Sequence, residues 1–148
     1  MKDFITTIAS IIILMMFVMQ FAANQMTFTK IMGAEYEISQ LRLISENQGM
    51  IKSEDIAELK DNLAAILGCG QSEIAVAVSG AVPDQVPEGA APVSSGLEVR
   101  MPVYGVIGPA RALGLAPSEN MRIHTSRSTV ILSPEQEETA PGPEVPQP

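Results

Sequence analysis

Two side chains of this sequence, His124 and Cys69, are of types that carry acid–base or nucleophilic chemistry, and each type occurs once. An imidazole acts as a general base only beside a nucleophile or an acid partner, and no GxSxG, HExxH or CxxC pattern accompanies it. We therefore expect His124 to be an exposed or hydrogen-bonded surface residue. Cys69 follows a predicted helix, at the end where the dipole does not lower a thiol pKa. It is either a candidate intermolecular thiol or a free one.

Metal ligands and phosphate-binding loops are poorly represented. A zinc site needs more ligands than one Cys and one His can supply. The glycines at positions 105, 108 and 114 are interrupted by Pro109, and no GK[ST] follows them. An acidic helix face has a spacing that matches no calcium loop, so we expect a solvated face. Its members are Glu54, Asp55, Glu58 and Asp61. The sequence thus predicts no metal, no cofactor and no enzyme activity.

Composition narrows the class further. The 148 residues give room for one small domain. The formal net charge of -8 comes from 17 acidic and 9 basic residues, which argues against nucleic acid as a partner. The apolar residues are unevenly distributed, and their positions carry most of the structural information.

A membrane anchor is predicted at residues 4–23, after a short flank at 1–3. The run FITTIASIIILMMFVMQFAA has twenty residues and no charge, which fits the length of a membrane-spanning helix. A cleaved signal peptide is the alternative, but the run is longer than a typical signal core and has bulky Phe21 at the −3 position. We expect an uncleaved single-pass anchor in the cell membrane. The acidic C-terminal part favours a cytoplasmic N-terminus and an extracytoplasmic domain.

A helical stem is predicted to continue from the anchor over residues 24–48. Apolar residues recur there at spacings of three and four, which forms one stripe on a helix. The members of this stripe are Ile31, Ala34, Ile38 and Leu41. The stripe must be buried, either against the chain's own sheet or against another stem in a homo- or hetero-oligomer.

The remaining residues predict a small α+β domain at 49–133. A second short helix runs from Ser53, the expected N-cap, to Gly68, which ends it. Alternating residues then predict a small antiparallel sheet of about three strands, at 73–78, 97–103 and 122–132. Pro102 indicates a sheet edge or a bulge. The Pro/Glu-rich tail at 134–148 is predicted to be disordered.

This order of elements resembles the TadE-like and type IV pilin-like minor pseudopilins, which are single-pass proteins of the bacterial envelope. Asp3 and Phe4 stand where those proteins often have an acidic residue and an aromatic before the apolar run. The stretches LEVRMPVYGVIGPARALGL (97–115) and MRIHTSRSTVIL (121–132) are similar to their C-terminal part.

The resemblance implies a structural component of a pilus, secretion or conjugation assembly, with membrane lipid and other envelope or pilus-type proteins as partners. It would act by helix packing and surface display. The alternative is a membrane-anchored extracytoplasmic binding module without a filament, in which the loops at 79–96 and 105–117 and the tail hold a partner.

Overall fold

A computed structural model describes residues 2–80 and 91–133 of the chain. It contains two helices, α1 (Lys2–Gln48) and α2 (Ser53–Leu67), and a short 3-10 turn at Gln71–Glu73. Three strands follow, β1 (Ala75–Ser79), β2 (Val93–Tyr104) and β3 (Met121–Leu132), in an antiparallel sheet of order β1-β2-β3. The predicted fold class is confirmed for these residues. The predicted disordered tail at 134–148 and residues 81–90 of the predicted 79–96 loop lie outside the described residues.

The apolar run and the stem form one uninterrupted helix. With 47 residues, α1 is about 70 Å long at 1.5 Å per residue. Its N-terminal part is long and apolar enough to cross a membrane, and none of its most apolar 18-residue window is buried. A core helix of a soluble domain would be mostly buried, so this exposure is consistent with a single-pass membrane anchor. Gly49, at φ 67°, follows the last helical residue.

Of the two predicted ends of α2, the structure confirms only the C-terminal one. Gly68 adopts the left-handed conformation at φ 71° and its N–H bonds to the Ala64 carbonyl at 2.9 Å, which ends the helix as predicted. At the other end Ser53 was expected to cap the helix, and this is wrong. The cap position belongs to Lys52, because the Ile56 N–H already bonds to its carbonyl at 3.2 Å, and no side chain caps the helix.

The sheet is built around β2, which pairs with β1 over 96–100 and with β3 over its whole length. β2 begins at Val93, inside the stretch predicted as a loop, because β3 supplies cross-strand partners for residues 93–96. The β1 ladder ends where Ala75 faces Arg100. Pro102 therefore lies where β2 has a neighbour on one side only, a position that tolerates a missing N–H.

Both helices cover the same face of the sheet and enclose an aliphatic core. α1 contributes Ala34, Ile38 and Leu41 to it. The remaining buried members come from α2, the residue before β1, and the inward faces of β2 and β3: Leu59, Leu63, Leu67, Ile74, Leu97, Val99, Met101, Val103, Val130 and Leu132. No aromatic side chain belongs to this core among the described residues, so shape complementarity between aliphatic side chains stabilises it.

Leu63 is fully buried at the centre of α2. We expect Leu63→Ala to lower the free energy of unfolding by about 2–5 kcal/mol, because it removes buried methyl groups and leaves a cavity. Ile131→Ala, on the exposed face of β3, is the matched control and should cost less than about 1 kcal/mol. Urea unfolding of the detergent-solubilised chain, followed by pulse proteolysis, measures both. Equal midpoints for the two variants would contradict the assignment of the core.

Candidate interaction surfaces

The stem stripe identified in the sequence is covered by the chain's own fold. Ala34, Ile38 and Leu41 are buried against α2 and the sheet, and Ile31 is partly buried beside them. Of the two covers considered for this stripe, the structure supplies the intramolecular one. Ala34, Ile38 and Leu41 thus hold the stem to the domain, and Ile31 lies partly buried at the end of this contact.

A second apolar stripe lies on the opposite face of the stem and is exposed. Four large side chains form it, with exposed fractions of 61%, 55%, 62% and 47%: Phe28, Met32, Tyr36 and Leu43. Their spacings of four, four and seven place them within about a quarter turn of one another on a helix. We call them the outer stripe. The sequence carries this signal, but sequence reasoning singled out only the stripe that became buried.

A polar cluster joins α1 to β3. The Glu35 carboxylate lies 3.0 Å from Nε2 of His124, and Ser126 Oγ donates a 2.8 Å hydrogen bond to its other oxygen. His124 and Ser126 are neighbours on the inward face of β3, where Arg122 and Ser128 also point toward the helices. The cluster therefore gives His124 and Ser126 a shared partner on the stem. His124 is hydrogen-bonded, one of the two environments expected for it.

The cluster differs from a nucleophilic relay. In such a relay the hydroxyl bonds to the imidazole, which takes up its proton. Here the Ser126 hydroxyl is directed at the Glu35 carboxylate instead, and the carboxylate separates it from His124. The geometry favours a fixed contact between helix and strand over proton transfer to a bound substrate.

Cys69 is half-buried just after α2. Burial raises the pKa of its thiol, and the nearby Glu73 carboxylate raises it further, against smaller lowering effects from its own backbone hydrogen bond and Lys30. A raised pKa reduces the thiolate fraction at neutral pH, and the thiolate is the reactive form in disulfide exchange. This environment slows any intermolecular disulfide at this position.

The end of the domain nearest the apolar run is attached to α1. The attachment is made by the connection between β2 and β3, residues 105–120, which we call the β2–β3 loop. The Gln20 side chain donates to the Val106 carbonyl at 3.0 Å and accepts from the Gly108 N–H at 3.1 Å. The loop contains one helical turn beginning at Pro109, since the Leu113 N–H bonds to the Pro109 carbonyl at 3.1 Å. Sequence reasoning did not connect Gln20 with this loop.

Two open clefts flank α1 near this attachment. One, of about 510 Å³, lies between α1 and the β2–β3 loop and has mostly apolar walls that include Met19, Met26, Leu115 and Arg111. The other, of about 420 Å³, lies between α1 and the start of β3, with Asn24, Arg122 and His124 among its lining residues. Within residues 2–80 and 91–133, no group of three His, Cys, Asp or Glu side chains could hold a metal ion.

Comparison with known proteins adds no identification: no family model, no curated protein and no solved structure matches the chain.

The Glu35 cluster makes a measurable prediction. Ser126 is buried, so Glu35→Ala leaves its hydroxyl without this acceptor and should lower the free energy of unfolding by about 1–3 kcal/mol. Glu35→Gln keeps an acceptor oxygen and should cost less. Glu37→Ala, which removes the exposed acceptor of Asn62, is the control on the same helix. Urea unfolding compares the three variants, and a Glu35→Ala chain as stable as the Glu37→Ala chain would show that the cluster does not stabilise the helix–strand contact.

Proposed function

We propose that this chain is a structural, pseudopilin-like component of a bacterial envelope assembly, such as a pilus, secretion or conjugation machine. α1 anchors it in the membrane, and the outer stripe packs against the stem of a neighbouring copy. The observation that carries the proposal is the outer stripe itself: four large apolar side chains on the stem that the chain's own fold leaves exposed.

The position of the outer stripe supports a helix-to-helix contact. It lies opposite the face of α1 that is buried against α2 and the sheet, so a neighbour can approach without displacing the domain. Phe21 extends the same face into the apolar run and is also exposed. A neighbouring helix could therefore follow α1 from the membrane into the stem along one continuous line.

Energetic considerations point the same way. Full burial of a Leu, Met or Phe side chain contributes about 1.5–3 kcal/mol, and the outer stripe offers several of them. Association normally costs translational and rotational freedom. Anchors in one membrane already hold their stems roughly parallel and near one another, so part of this cost is met before contact. A stripe of four residues suffices for lateral packing under these conditions.

A structural role also suits the polar groups. The Glu35–His124–Ser126 cluster fixes β3 to α1, and Gln20 fixes the β2–β3 loop to the same helix. Both contacts attach the domain to the stem, at two places along α1. Such attachment suits a subunit that transmits position from membrane to surface.

Stem packing is tested by cross-linking in native membranes. In a Cys69→Ser chain, we expect Met32→Cys and Leu43→Cys to form dimers with a short bismaleimide, several-fold more than Ala65→Cys, an exposed position on α2. Adding Met32→Glu should suppress the Leu43→Cys dimer, because it places a charge in the apolar contact. Ala57→Glu, at an exposed position on α2, is the control for added charge.

Two results would contradict the stem contact. One is a dimer yield at Met32→Cys and Leu43→Cys no higher than at Ala65→Cys. The other is a Leu43→Cys dimer that survives Met32→Glu as well as it survives Ala57→Glu. A membrane-anchored chain that stays monomeric by both criteria fits the binding module better than an assembly subunit.

The proposed orientation, with the N-terminus in the cytoplasm, is tested separately. Ser133 follows β3, far along the chain from the anchor, and Ser133→Cys in the Cys69→Ser chain supplies a single thiol. We expect a membrane-impermeant maleimide to label it in intact cells as fully as in lysed cells. Protection until lysis would place the domain in the cytoplasm and overturn the pilin-like topology.

A further inference from the structure

The β2–β3 loop contacts α1 inside the apolar run. The run covers residues 4–23, and the loop bonds to Gln20 through the Val106 carbonyl and the Gly108 N–H. Gln20 also bonds to Asn24 at 3.0 Å. Both ends of the Gln20 amide are thereby satisfied, and so are two backbone groups of the loop. Such pairing matters most in lipid, where an unsatisfied polar group costs several kcal/mol.

The contact is close because of a glycine. A Cβ on Gly108 would overlap the Met19 carbonyl, so the loop backbone lies directly on the backbone of α1 at this point. The loop is therefore in direct backbone contact with the apolar run. Its height along the helix is set by residues 19 and 20.

This height corresponds to the edge of the bilayer. Gln20 precedes Ala23, the end of the apolar run, by three residues, or about 4.5 Å along the helix axis. The headgroup layer adds roughly 5–8 Å outside each side of the hydrocarbon core. A loop held at Gln20 lies at the boundary between acyl chains and headgroups.

The loop also presents suitable side chains at this depth. Leu113 is 56% exposed, in a helical turn whose other exposed members include Ala112. Arg111 is exposed beside it, lines the 510 Å³ cleft and has no ion-pair partner within residues 2–80 and 91–133. An apolar side chain next to an unpaired guanidinium is the combination that interfacial segments present to lipid.

We propose that the β2–β3 loop is a second membrane contact. Leu113 enters the part of the acyl layer next to the headgroups, and Arg111 faces the lipid phosphates. The partner is a glycerophospholipid leaflet, and one acyl chain can occupy the cleft between the loop and α1. Lipid is the occupant because the loop is bonded to the anchor at membrane depth, where lipid is the surrounding medium. The inference rests on the membrane span of the proposed function, not on the contact between stems.

Fluorescence quenching in vesicles tests the proposal. The full chain, with Cys69→Ser and Leu113→Cys, is labelled with an environment-sensitive fluorophore and reconstituted in phosphatidylcholine vesicles. Part of the lipid carries a nitroxide near the top of the acyl chain. We expect several-fold stronger quenching at Leu113→Cys than at Thr129→Cys, an exposed position toward the far end of β3. Flotation with the vesicles verifies the span independently.

A matched pair of variants tests the attachment. Gln20→Leu removes the bonds to the loop while making the anchor more apolar, so flotation should be unchanged and quenching at Leu113→Cys should fall several-fold. Gln25→Leu makes the same change on another face of α1 and should leave the quenching unchanged. Persistent quenching in Gln20→Leu would overturn the role of Gln20 in holding the loop.

Two further outcomes would overturn the membrane contact. Equal quenching at Leu113→Cys and Thr129→Cys, in a chain that floats with the vesicles, would place the loop in water. Shielding of Leu113→Cys from aqueous iodide without quenching by the nitroxide lipid would assign the loop to a protein contact. Failure of flotation would instead remove the membrane span on which the proposed function also depends.

Discussion

The packing of one face of α1 against α2 and the sheet is the contact on which the rest of the structure depends. Ala34, Ile38 and Leu41 provide it, and the small side chain of Ala34 lets neighbouring elements approach the helix closely. Because α1 is continuous from Lys2 to Gln48, this contact also determines where the domain lies relative to the apolar run. Domain and anchor share one helix, so neither can reorient without breaking that packing.

The polar contacts depend on this arrangement. α1 also contacts β3, although only the last inward residues of that strand, Val130 and Leu132, belong to the aliphatic core. Glu35 supplies bonds where the strand carries His124 and Ser126. An apolar helix face there would leave the Ser126 hydroxyl without this acceptor, at a cost comparable to a lost buried hydrogen bond. The stem thus carries a polar residue, Glu35, beside its buried apolar stripe.

Two apolar surfaces remain exposed after the domain has folded, and they lie at different positions along α1. The outer stripe lies on the stem, opposite the core, and offers large apolar side chains to a neighbouring helix. The β2–β3 loop lies nearer the N-terminus of α1, against Gln20, and leaves Leu113 and Arg111 exposed, the side chains of the proposed lipid contact. One long helix with an attached domain can present both surfaces at once, and the proposed structural role uses both of them.

Much of the fold was predictable from the sequence by itself. A long uncharged run predicts the membrane-spanning segment, periodicity predicts the stem and α2, Gly68 predicts where α2 ends, and alternation predicts three strands. These features depend on local spacing and on residue type, which are explicit in the chain. Periodicity shows that a face is apolar, but it does not show what covers it.

Only the tertiary structure decided that the stripe of Ile31, Ala34, Ile38 and Leu41 is internal and that the outer stripe is exposed. The same holds for Glu35 with His124 and for Gln20 with Gly108, which are 89 and 88 residues apart. Such contacts follow from how the helices and strands pack in three dimensions, and no local pattern in the sequence encodes that packing.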